Sequence, residues 1–355
     1  MTNIAIISDT HFGVRNGSNL FLDNQKAFLD TIFFPTLEQN NIKTIIHLGD
    51  LVDKRKSVDF VTSNRLKTDF LNKLRDLNLT THIITGNHDC FYKDTNEINA
   101  LTELIEGRYS NIKIYTEATE IEVDDTSILL IPWINSSNQH QTMGRINSST
   151  SFICMGHLEL IGFEMYKGYI SDHGMDTKIF DKFDLVLSGH YHQISKKNNV
   201  HYVGAPYHMT WADYENPRGF HLLNLESLNL TFIENPYSVY TKVTYDDTKF
   251  KSVKSLLNTL SEQDIKNKYC KLIIAEKTKD SWLDTFINQI QDYQPYDLKI
   301  IEQSEIYVPE NDVDQTEDTL TILKKTISDI DADISKPDLE KLMIELYVKA
   351  NEMDV

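Results

Sequence analysis

The amino-acid sequence predicts an α/β protein with a large N-terminal domain of helix-covered sheets, a small α+β domain and a C-terminal pair of helices. Three observations support this class. Short β-branched runs alternate with helical segments over the first part of the chain. Every glycine, arginine and histidine lies at or before His221, so turns and chemistry concentrate before that point. The C-terminal residues carry apolar side chains at helical spacing.

Composition and length limit the class of protein further. The 355 residues agree with about two domains and an appendage, and 40% hydrophobic with 25% charged residues is typical of a globular protein. No apolar run reaches the ~18 residues of a membrane span and the first residues form a predicted strand, so we expect no membrane partner and a cytoplasmic location. Cys90, Cys154 and Cys270 have unrelated spacings, which favours a reducing compartment. The net charge of −18 predicts weak nucleic-acid binding unless cations, a basic patch or a partner assist.

The N-terminal domain is predicted to span residues 1–236. Predicted strands occupy 4–8, 44–48, 82–85, 128–132, 152–155, 185–188, 201–203, 220–225 and 230–234. A helical pattern covers 58–77, between the second and third strands. Strands separated by helices favour sheets with covered faces, and the closely spaced late strands favour antiparallel additions.

The rest of the chain is predicted to form three smaller parts. Residues 237–308 have the pattern of a small α+β domain, with strands at 239–245, 269–275 and 298–308 and helices at 250–260 and 281–293. Residues 309–319 form an acidic linker, and two helices follow within 320–355. In the second of these helices Leu339, Leu342, Leu346 and Tyr347 share one face, which either packs on the protein's own core or binds a partner.

Side chains of metal-ligand type follow five predicted strands, usually directly behind a glycine. The five motifs are DTH (9–11), GD (49–50), GNHD (86–89), GH (156–157) and GHYH (189–192). In an open α/β sheet the carboxyl ends of parallel strands meet at one edge, where ligands bind. We therefore expect the motifs to form one cluster of aspartates, histidines and an asparagine.

Such a cluster has enough ligands for two metal ions that share a bridging carboxylate. Mixed imidazole and carboxylate ligands suit manganese, iron or zinc. Two ions about 3.5–4 Å apart can activate water and clamp a phosphoryl group, which predicts phosphoester hydrolysis. Each motif alone is more often a turn or a core histidine than part of a site. Order, strand context and residue type agree in all five, and this agreement favours the site.

Together the five motifs resemble those of the calcineurin-like metallophosphoesterase superfamily. Within it, the segments GNHDCFYK, SGHYHQIS and VGAPY resemble SbcD-like nuclease subunits of double-strand-break-repair complexes, and LIPW, GHLELIGF and NPRGF resemble their phage recombination endonuclease branch. The resemblance is strong over about residues 1–235 and weaker beyond. It implies a four-layer sandwich of two mixed sheets flanked by helices, a capping domain at 237–308 and a C-terminal helical hairpin.

The resemblance also implies roles for individual residues. The metal ligands would be Asp9, His11 and His192 on a first ion and Asn87, His157 and His190 on a second, with Asp50 bridging. His88 would face the phosphate and protonate the leaving oxygen or stabilise the transition state. The implied cofactor is two manganese ions, with magnesium as the alternative. Asp89 would orient His88 or brace its loop, unless it is only a turn residue.

One position departs from the family pattern. Many cellular relatives carry a second histidine three residues after the bridging aspartate, whereas this chain has Asp53 there. An ionised carboxylate cannot donate a hydrogen bond to a phosphate. Asp53 would instead orient His88 or shape the DNA path, and we expect the rate or the balance of exonuclease and endonuclease activity to differ from those relatives.

The implied partners are DNA, an ATPase and a second copy of the chain. Lys54, Arg55, Lys56 and Lys93 follow metal motifs and would contact DNA phosphates, unless they are solvated loop charges. The resemblance implies that the C-terminal helices dock on the coiled coil of an ABC/SMC-type ATPase through Leu339, Leu342, Leu346 and Tyr347. It also implies homodimerisation within a heterotetramer, through helices such as 58–77, and a host cytoplasmic location if the protein is phage-encoded.

Two other functions remain open at this point. A small-molecule phosphodiesterase or phosphatase would use the same cluster, but it would have little use for a capping domain and an amphipathic tail. A non-catalytic scaffold would keep the fold without the activity. The complete set of ligand-type residues together with His88 argues against the scaffold.

Overall fold

The computed structural model describes residues 2–166, 169–302, 335, 339, 342 and 343. The chain forms two compact units, the first ending at Val239 and the second beginning at Tyr240. The sequence predicted a boundary between residues 236 and 237. Among the helices of the described residues, none has the length and apolar character that crossing a membrane requires.

The strands of the first unit extend several of the predicted runs and add others. In chain order they are β1 (Asn3–Ile7), β2 (Thr44–His47), β3 (Thr80–Ile84), β4 (Ile112–Tyr115), β5 (Thr119–Val123), β6 (Thr126–Ile131), β7 (Ile153–His157), β8 (Glu164–Tyr166), β9 (Tyr169–Ile170), β10 (Leu185–Gly189), β11 (Ser195–Lys197), β12 (Val200–Tyr202), β13 (Gly219–Asn224) and β14 (Leu230–Glu234).

Two six-stranded mixed sheets form the framework of this unit. The first has the order β14-β13-β1-β2-β3-β4, in which β1 to β4 are parallel and β13 and β14 are antiparallel additions. The second has the order β11-β12-β10-β7-β6-β5, with a parallel centre and antiparallel strands at both edges. Strands β8 and β9 pair as a separate hairpin. The predicted α/β class with two mixed sheets is confirmed.

A shared apolar core joins the two sheets. Ile6 and Ile46 of the first sheet belong to the same buried cluster as Leu130, Met155 and Leu187 of the second. Alternate residues of these strands point to opposite faces, so the other side chains of each strand pack against helices. The sheets therefore lie face to face, and their strand ends are fixed relative to each other.

Helical segments cover the outer faces. In the first unit they are Val14–Gly17, Asn19–Phe28, Leu29–Phe33, Phe34–Gln39, Phe60–Arg65, Leu66–Leu71, Asn72–Asp76, Ala100–Leu104, Gln139–Ser148, Thr177–Phe180 and Trp211–Asp213. Leu29–Phe33 and Leu66–Leu71 are π-helical insertions. The helix predicted at 58–77 begins at Phe60 because the Asp59 side chain accepts the N–H groups of Val61 and Thr62, each at 2.9 Å.

The second unit contains a three-stranded parallel sheet in the order β15-β16-β17. Its strands are β15 (Tyr240–Asp246), β16 (Tyr269–Glu276) and β17 (Asp297–Glu302), and its helical segments are Asp247–Lys249, Val253–Leu257, Glu262–Ile265 and Asp280–Asp292. The helix predicted at 250–260 starts later because the Ser252 side chain caps the N–H of Ser255. Leu272, Phe286 and Ile290 lie in the core of this unit. Its role as a cap stays a prediction.

The C-terminal region is described at only a few positions. The Leu339 N–H donates to the carbonyl of Ser335 at 3.0 Å, which is a helical hydrogen bond at the predicted start of the second helix. Leu342 is 51% exposed. The acidic linker at 309–319, the first C-terminal helix, Leu346 and Tyr347 lie outside the described residues.

Candidate metal centre

The predicted site residues lie at the carboxyl ends of β1, β2, β3, β7 and β10. Four of them leave their strands in the left-handed region: Asp9 with φ 52°, His11 with φ 39°, Asp50 with φ 54° and His190 with φ 84°. Non-glycine residues adopt this conformation rarely and at an energetic cost, and such residues concentrate at functional sites. The backbone therefore turns sharply at these residues.

The glycines of the motifs allow neighbouring loops to approach closely. A Cβ atom on Gly86 would lie 2.1 Å from Oδ1 of Asp50, and one on Gly189 would lie 2.0 Å from Oγ of Ser8. Both distances are well inside van der Waals contact, so any larger residue would push the loops apart. This explains why ligand-type residues in this sequence stand behind glycines.

A first group consists of Asp9, His11 and His192. Their ligand atoms lie within 4.8 Å of one another. The Nε2 atoms of His11 and His192 are 3.2 Å apart, and Oδ1 of Asp9 lies 4.0 Å and 3.9 Å from them. Both oxygens of Asp9 also accept the His190 N–H at 3.2 Å, which ties this group to the GHYH loop.

A second group consists of Asp50, His157, His190 and Asn87. Ligand atoms of the first three lie within 4.8 Å of one another. Oδ1 of Asn87 lies 2.9 Å from Nε2 of His157 and 3.0 Å from Nδ1 of His190. The other nitrogen of His157, Nδ1, pairs with the Leu48 carbonyl at 2.7 Å, which leaves Nε2 for the site.

Asp50 lies between the two groups. Its Oδ2 atom is 3.7 Å from Nε2 of His11 and 3.3 Å from Nε2 of His157. Its Oδ1 atom accepts the main-chain N–H of His88 at 2.8 Å. One carboxylate oxygen therefore faces both groups while the other positions the His88 loop.

Carboxylates give the site a strong preference for cations. Burial opposes charging of His11, but Asp53 and Asp50 outweigh it and raise the pKa of His11 to about 9. Burial likewise opposes charging of His157, but Asp50 and Asp9 raise the pKa of His157 to about 9. Protons occupy these imidazoles because the negative potential favours positive charge, and a metal ion would compete for the same position.

The other two imidazoles of these groups, those of His190 and His192, are neutral at physiological pH. Burial and the neighbouring His157 lower the pKa of His190 to about 3, and burial with the neighbouring His11 lowers the pKa of His192 well below its ordinary value. A neutral imidazole offers a lone pair to a metal ion without first losing a proton.

The donor set fits two divalent ions. Imidazole nitrogens, carboxylate oxygens and one amide oxygen converge, and the three cysteines Cys90, Cys154 and Cys270 are buried and lie outside both groups. These nitrogen and oxygen donors suit Mn²⁺ and related ions, and the absence of cysteine from both groups argues against a zinc site built from thiolates.

His88 lies beside the first group with its ring fixed. Its Nδ1 atom pairs with the main-chain carbonyl of Asp53 at 2.5 Å, so the Nδ1–H tautomer is the one the geometry favours. The His11 and His88 rings meet edge to face with centroids 4.8 Å apart. Burial lowers the pKa of His88 below its ordinary value.

Asp89 holds the GD and GNHD loops together. Its Oδ2 atom accepts the N–H groups of Asp50 and Gly86, each at 2.9 Å, and its Oδ1 atom accepts those of Leu51 at 2.9 Å and Val52 at 3.2 Å. Burial and the neighbouring Asp50 raise the pKa of Asp89 to about 7, while the N–H donors oppose that shift. Only the ionised carboxylate satisfies all four donors, so of the predicted roles the loop brace fits the contacts.

Other contacts around the site were not predicted from the sequence. The buried guanidinium of Arg218 donates to the carbonyl of His192 and, at 2.5 Å, to Asp213. The half-buried Trp133 ring packs against His190 and His157, with centroid distances of 5.1 Å and 6.0 Å. Both Trp133 and Arg218 lie in segments that carried the family resemblance, LIPW and NPRGF, but these segments did not reveal what the side chains contact.

The predicted basic cluster is not uniform. Lys54, Lys56 and Lys93 are exposed, and Nζ of Lys54 donates to Asn16 at 2.7 Å. Arg55 is partly buried, and its Nη1 atom is fully buried without a hydrogen-bond partner among the described residues. Contact of these four residues with DNA stays a prediction.

Comparison with known proteins agrees with this geometry. Residues 2–194 match the family model of the calcineurin-like phosphoesterases. Exonuclease subunit 1 of Enterobacteria phage T4 is 31% identical over 320 residues, which cover 89% of this chain and 90% of that protein. A solved structure of an archaeal phosphodiesterase aligns with a TM-score of 0.33 and 16% identity, covering 66% of this chain and 100% of that one.

Proposed function

This chain belongs to the calcineurin-like phosphoesterase family, in the branch of the phage T4 exonuclease subunit, and we propose that it is a two-metal DNA nuclease. The observation that carries the proposal is the position of Asp50, whose Oδ2 atom lies 3.7 Å from Nε2 of His11 and 3.3 Å from Nε2 of His157. A carboxylate between two imidazole groups is the arrangement that a bridged pair of ions needs.

The ligands of the two ions are the side chains described above. Asp9, His11 and His192 would hold the first ion, Asn87, His157 and His190 would hold the second, and Asp50 would contribute to both sites. When bound, two divalent ions polarise the scissile phosphodiester and lower the pKa of the attacking water. We propose manganese, because four imidazoles with carboxylates suit it better than magnesium, which prefers oxygen ligands and retains waters.

His88 acts on the leaving group. Nδ1 of His88 is occupied by the Asp53 carbonyl, so Nε2 is the atom that meets the substrate. The lowered pKa leaves Nε2 without a proton in the free protein, so the negative charge of a bound phosphodiester must favour the imidazolium form of His88. Its Nε2–H then donates a hydrogen bond to the leaving oxygen and transfers the proton as the P–O bond breaks. Asp50 fixes this residue from the other side through the His88 main-chain N–H.

DNA as the substrate is supported by the relative and by the local charge. The phage T4 protein is named an exonuclease subunit. Lys54, Lys56 and Lys93 are exposed and follow the GD and GNHD motifs, so they can contact backbone phosphates beside the cleft. Because the chain carries a net charge of −18, these lysines and the bound cations would have to offset long-range repulsion of DNA.

The partner proposals rest on exposed apolar residues. The T4 relative is named as a subunit, and Leu342 is 51% exposed, which supports docking of the C-terminal helix on a coiled-coil ATPase. Phe60 and Val61, at the start of the helix predicted to dimerise, are 94% and 52% exposed, which supports homodimerisation there. The second unit would limit access of DNA ends to the metals.

The decisive experiment compares substrates and metals in one assay. The wild-type protein, freed of metal, is incubated with linear duplex DNA, single-stranded DNA or bis-p-nitrophenyl phosphate, with Mn²⁺, with Mg²⁺ or with a chelator. We expect Mn²⁺-dependent cleavage of DNA that the chelator stops. Full activity in metal-free protein would refute the mechanism, and cleavage of the small phosphodiester without cleavage of DNA would refute the substrate.

A second experiment tests the partner. Deletion of residues 309–355 should leave metal binding and basal cleavage intact while abolishing copurification with a coiled-coil ATPase and stimulation by ATP. Unimpaired association would assign the C-terminal helices to the protein's own fold.

A further inference from the structure

We infer that Asp53 is a positioning residue whose side chain orients His11 on the first metal ion and whose main chain orients His88. The inference deepens the function proposed above and rests on its two-metal site. It assigns a role to the position at which the sequence departs from the family pattern.

The side chain of Asp53 faces the outer nitrogen of His11. Oδ1 of Asp53 lies 3.4 Å from Nδ1 of His11, and among the described residues Nδ1 makes no regular hydrogen bond. The inner nitrogen, Nε2, faces His192 at 3.2 Å and Asp50 at 3.7 Å. The His11 imidazole thus lies between a carboxylate and the metal position, an arrangement that fixes the ring tautomer and makes the ligand nitrogen more basic.

The main chain of Asp53 positions His88. Its carbonyl pairs with Nδ1 of His88 at 2.5 Å, and its N–H donates to the Phe12 carbonyl at 3.1 Å, directly after His11. Val52 and Phe12 form a parallel bridge that ties the two loops together. A shift of this loop would therefore displace both histidines, whereas loss of the Asp53 side chain alone affects His11.

A third metal ion is the competing interpretation. Ligand atoms of His11, Asp53 and His88 lie within 4.8 Å of one another. However, His11 would then bind ions through both nitrogens and would have to lose both ring protons, and Nδ1 of His88 already pairs with a carbonyl. A hydrogen bond from Nδ1–H of His11 to Asp53 requires neither the loss of both ring protons of His11 nor a free Nδ1 atom on His88.

The test is a calorimetric titration with Mn²⁺ of metal-free full-length protein. The variants are Asp53→Ala, Asp53→Asn and, as a control for the change of charge, Asp184→Asn, because Asp184 is an exposed aspartate of the same unit. We expect two ions in the wild type. In Asp53→Ala one of the two should bind about 10- to 100-fold more weakly and the other unchanged. Asp53→Asn keeps an acceptor oxygen, so its Mn²⁺ affinity should fall less than that of Asp53→Ala. Asp184→Asn should bind both ions with the affinity of the wild type.

Cleavage kinetics provide a second measurement, the Mn²⁺ dependence of the rate, which a purely structural role of Asp53 would not change. The Mn²⁺ concentration for half-maximal cleavage should rise in Asp53→Ala, while kcat at saturating Mn²⁺ recovers because the carbonyl that orients His88 is retained. Unchanged affinity for both ions in Asp53→Ala would overturn the inference. Three ions in the wild type and two in Asp53→Ala would also overturn it, in favour of a ligand role. A wild-type protein that binds no Mn²⁺ would instead refute the proposed function.

Discussion

Replacing Asp89 by Asn should destabilise the nuclease domain and loosen its metal centre. Asn has the size of Asp but offers one acceptor oxygen in place of two. Each oxygen of Asp89 accepts two main-chain N–H groups, so the substitution leaves two buried donors facing an amide NH₂ group. No rotation of the amide removes this conflict, because donors lie on both sides of the side chain.

The size of the effect follows from the number of lost hydrogen bonds. A hydrogen bond to a charged group contributes about 1.5–3 kcal/mol, so the loss of two predicts a decrease of about 3–6 kcal/mol in the free energy of unfolding. A domain has about 5–15 kcal/mol in total, and the variant should therefore fold but unfold much more readily. The Asp50 and Gly86 N–H groups share one oxygen, so the GD and GNHD loops should separate together.

Urea unfolding at a pH above 7, where the Asp89 carboxyl is ionised, measures this prediction, and a chelator removes the contribution of bound metal. The matched control is Asp94→Asn, because Asp94 is an exposed aspartate in the loop that follows GNHD. With a slope of about 3 kcal/mol per molar urea, the midpoint of Asp89→Asn should fall by about 1–2 M. A decrease below 1 kcal/mol, or a decrease equal to that of Asp94→Asn, would show that the four contacts do not hold the loops.

Three further predictions concern other groups. His88→Ala should lower DNA cleavage by about 10²- to 10⁴-fold while two Mn²⁺ ions still bind in calorimetry; loss of an ion would make His88 a ligand instead. Mn²⁺ is paramagnetic and should quench the fluorescence of Trp133, whose ring centroid lies 5.1 Å from that of His190, so most quenching should disappear in Trp133→Phe. Burial lowers the pKa of His82 from 6.5 to about 4. Between pH 6.5 and pH 4 the unfolded chain therefore binds a proton at His82 that the folded chain does not bind. The free energy of unfolding should decrease by about 3 kcal/mol between pH 7 and pH 4 because of His82, and His82→Gln should remove this part of the decrease in urea titrations.

The sequence predicted the strands that carry the site because their patterns are local. Buried parallel strands are continuous apolar runs, and β1, β7 and β10 contain such runs. The missed strands lie at sheet edges or outside the two large sheets. In β4 and β5 exposed and buried residues alternate over a few positions, and β11 has three residues with two exposed lysines. Such segments become strands because a neighbouring strand pairs with them, which a local pattern does not reveal.

The ligand-type residues could be predicted because each motif follows a strand and parallel strands end at one edge. The bracing groups could not, because each acts on a loop distant in sequence. Arg218 binds the carbonyl of His192, and Asp53 reaches His11 across 42 positions of sequence. For Asp89 the sequence left a loop brace and a turn residue open, since a four-donor cage is visible only when the two loops are placed together.

These contacts make the candidate site one unit rather than five separate loops. Asp89 joins the GNHD loop to the GD loop, Asp53 joins the GD loop to the DTH loop, and Asp9 accepts the His190 N–H of the GHYH loop. The left-handed backbone at several ligand-type residues costs energy that these links between loops must offset. A substitution in one link should therefore change metal affinity at ligands on a different strand. A brace variant that binds metal more weakly also gains less stability from it, so brace variants should lose more stability relative to the wild type in saturating Mn²⁺ than in chelator.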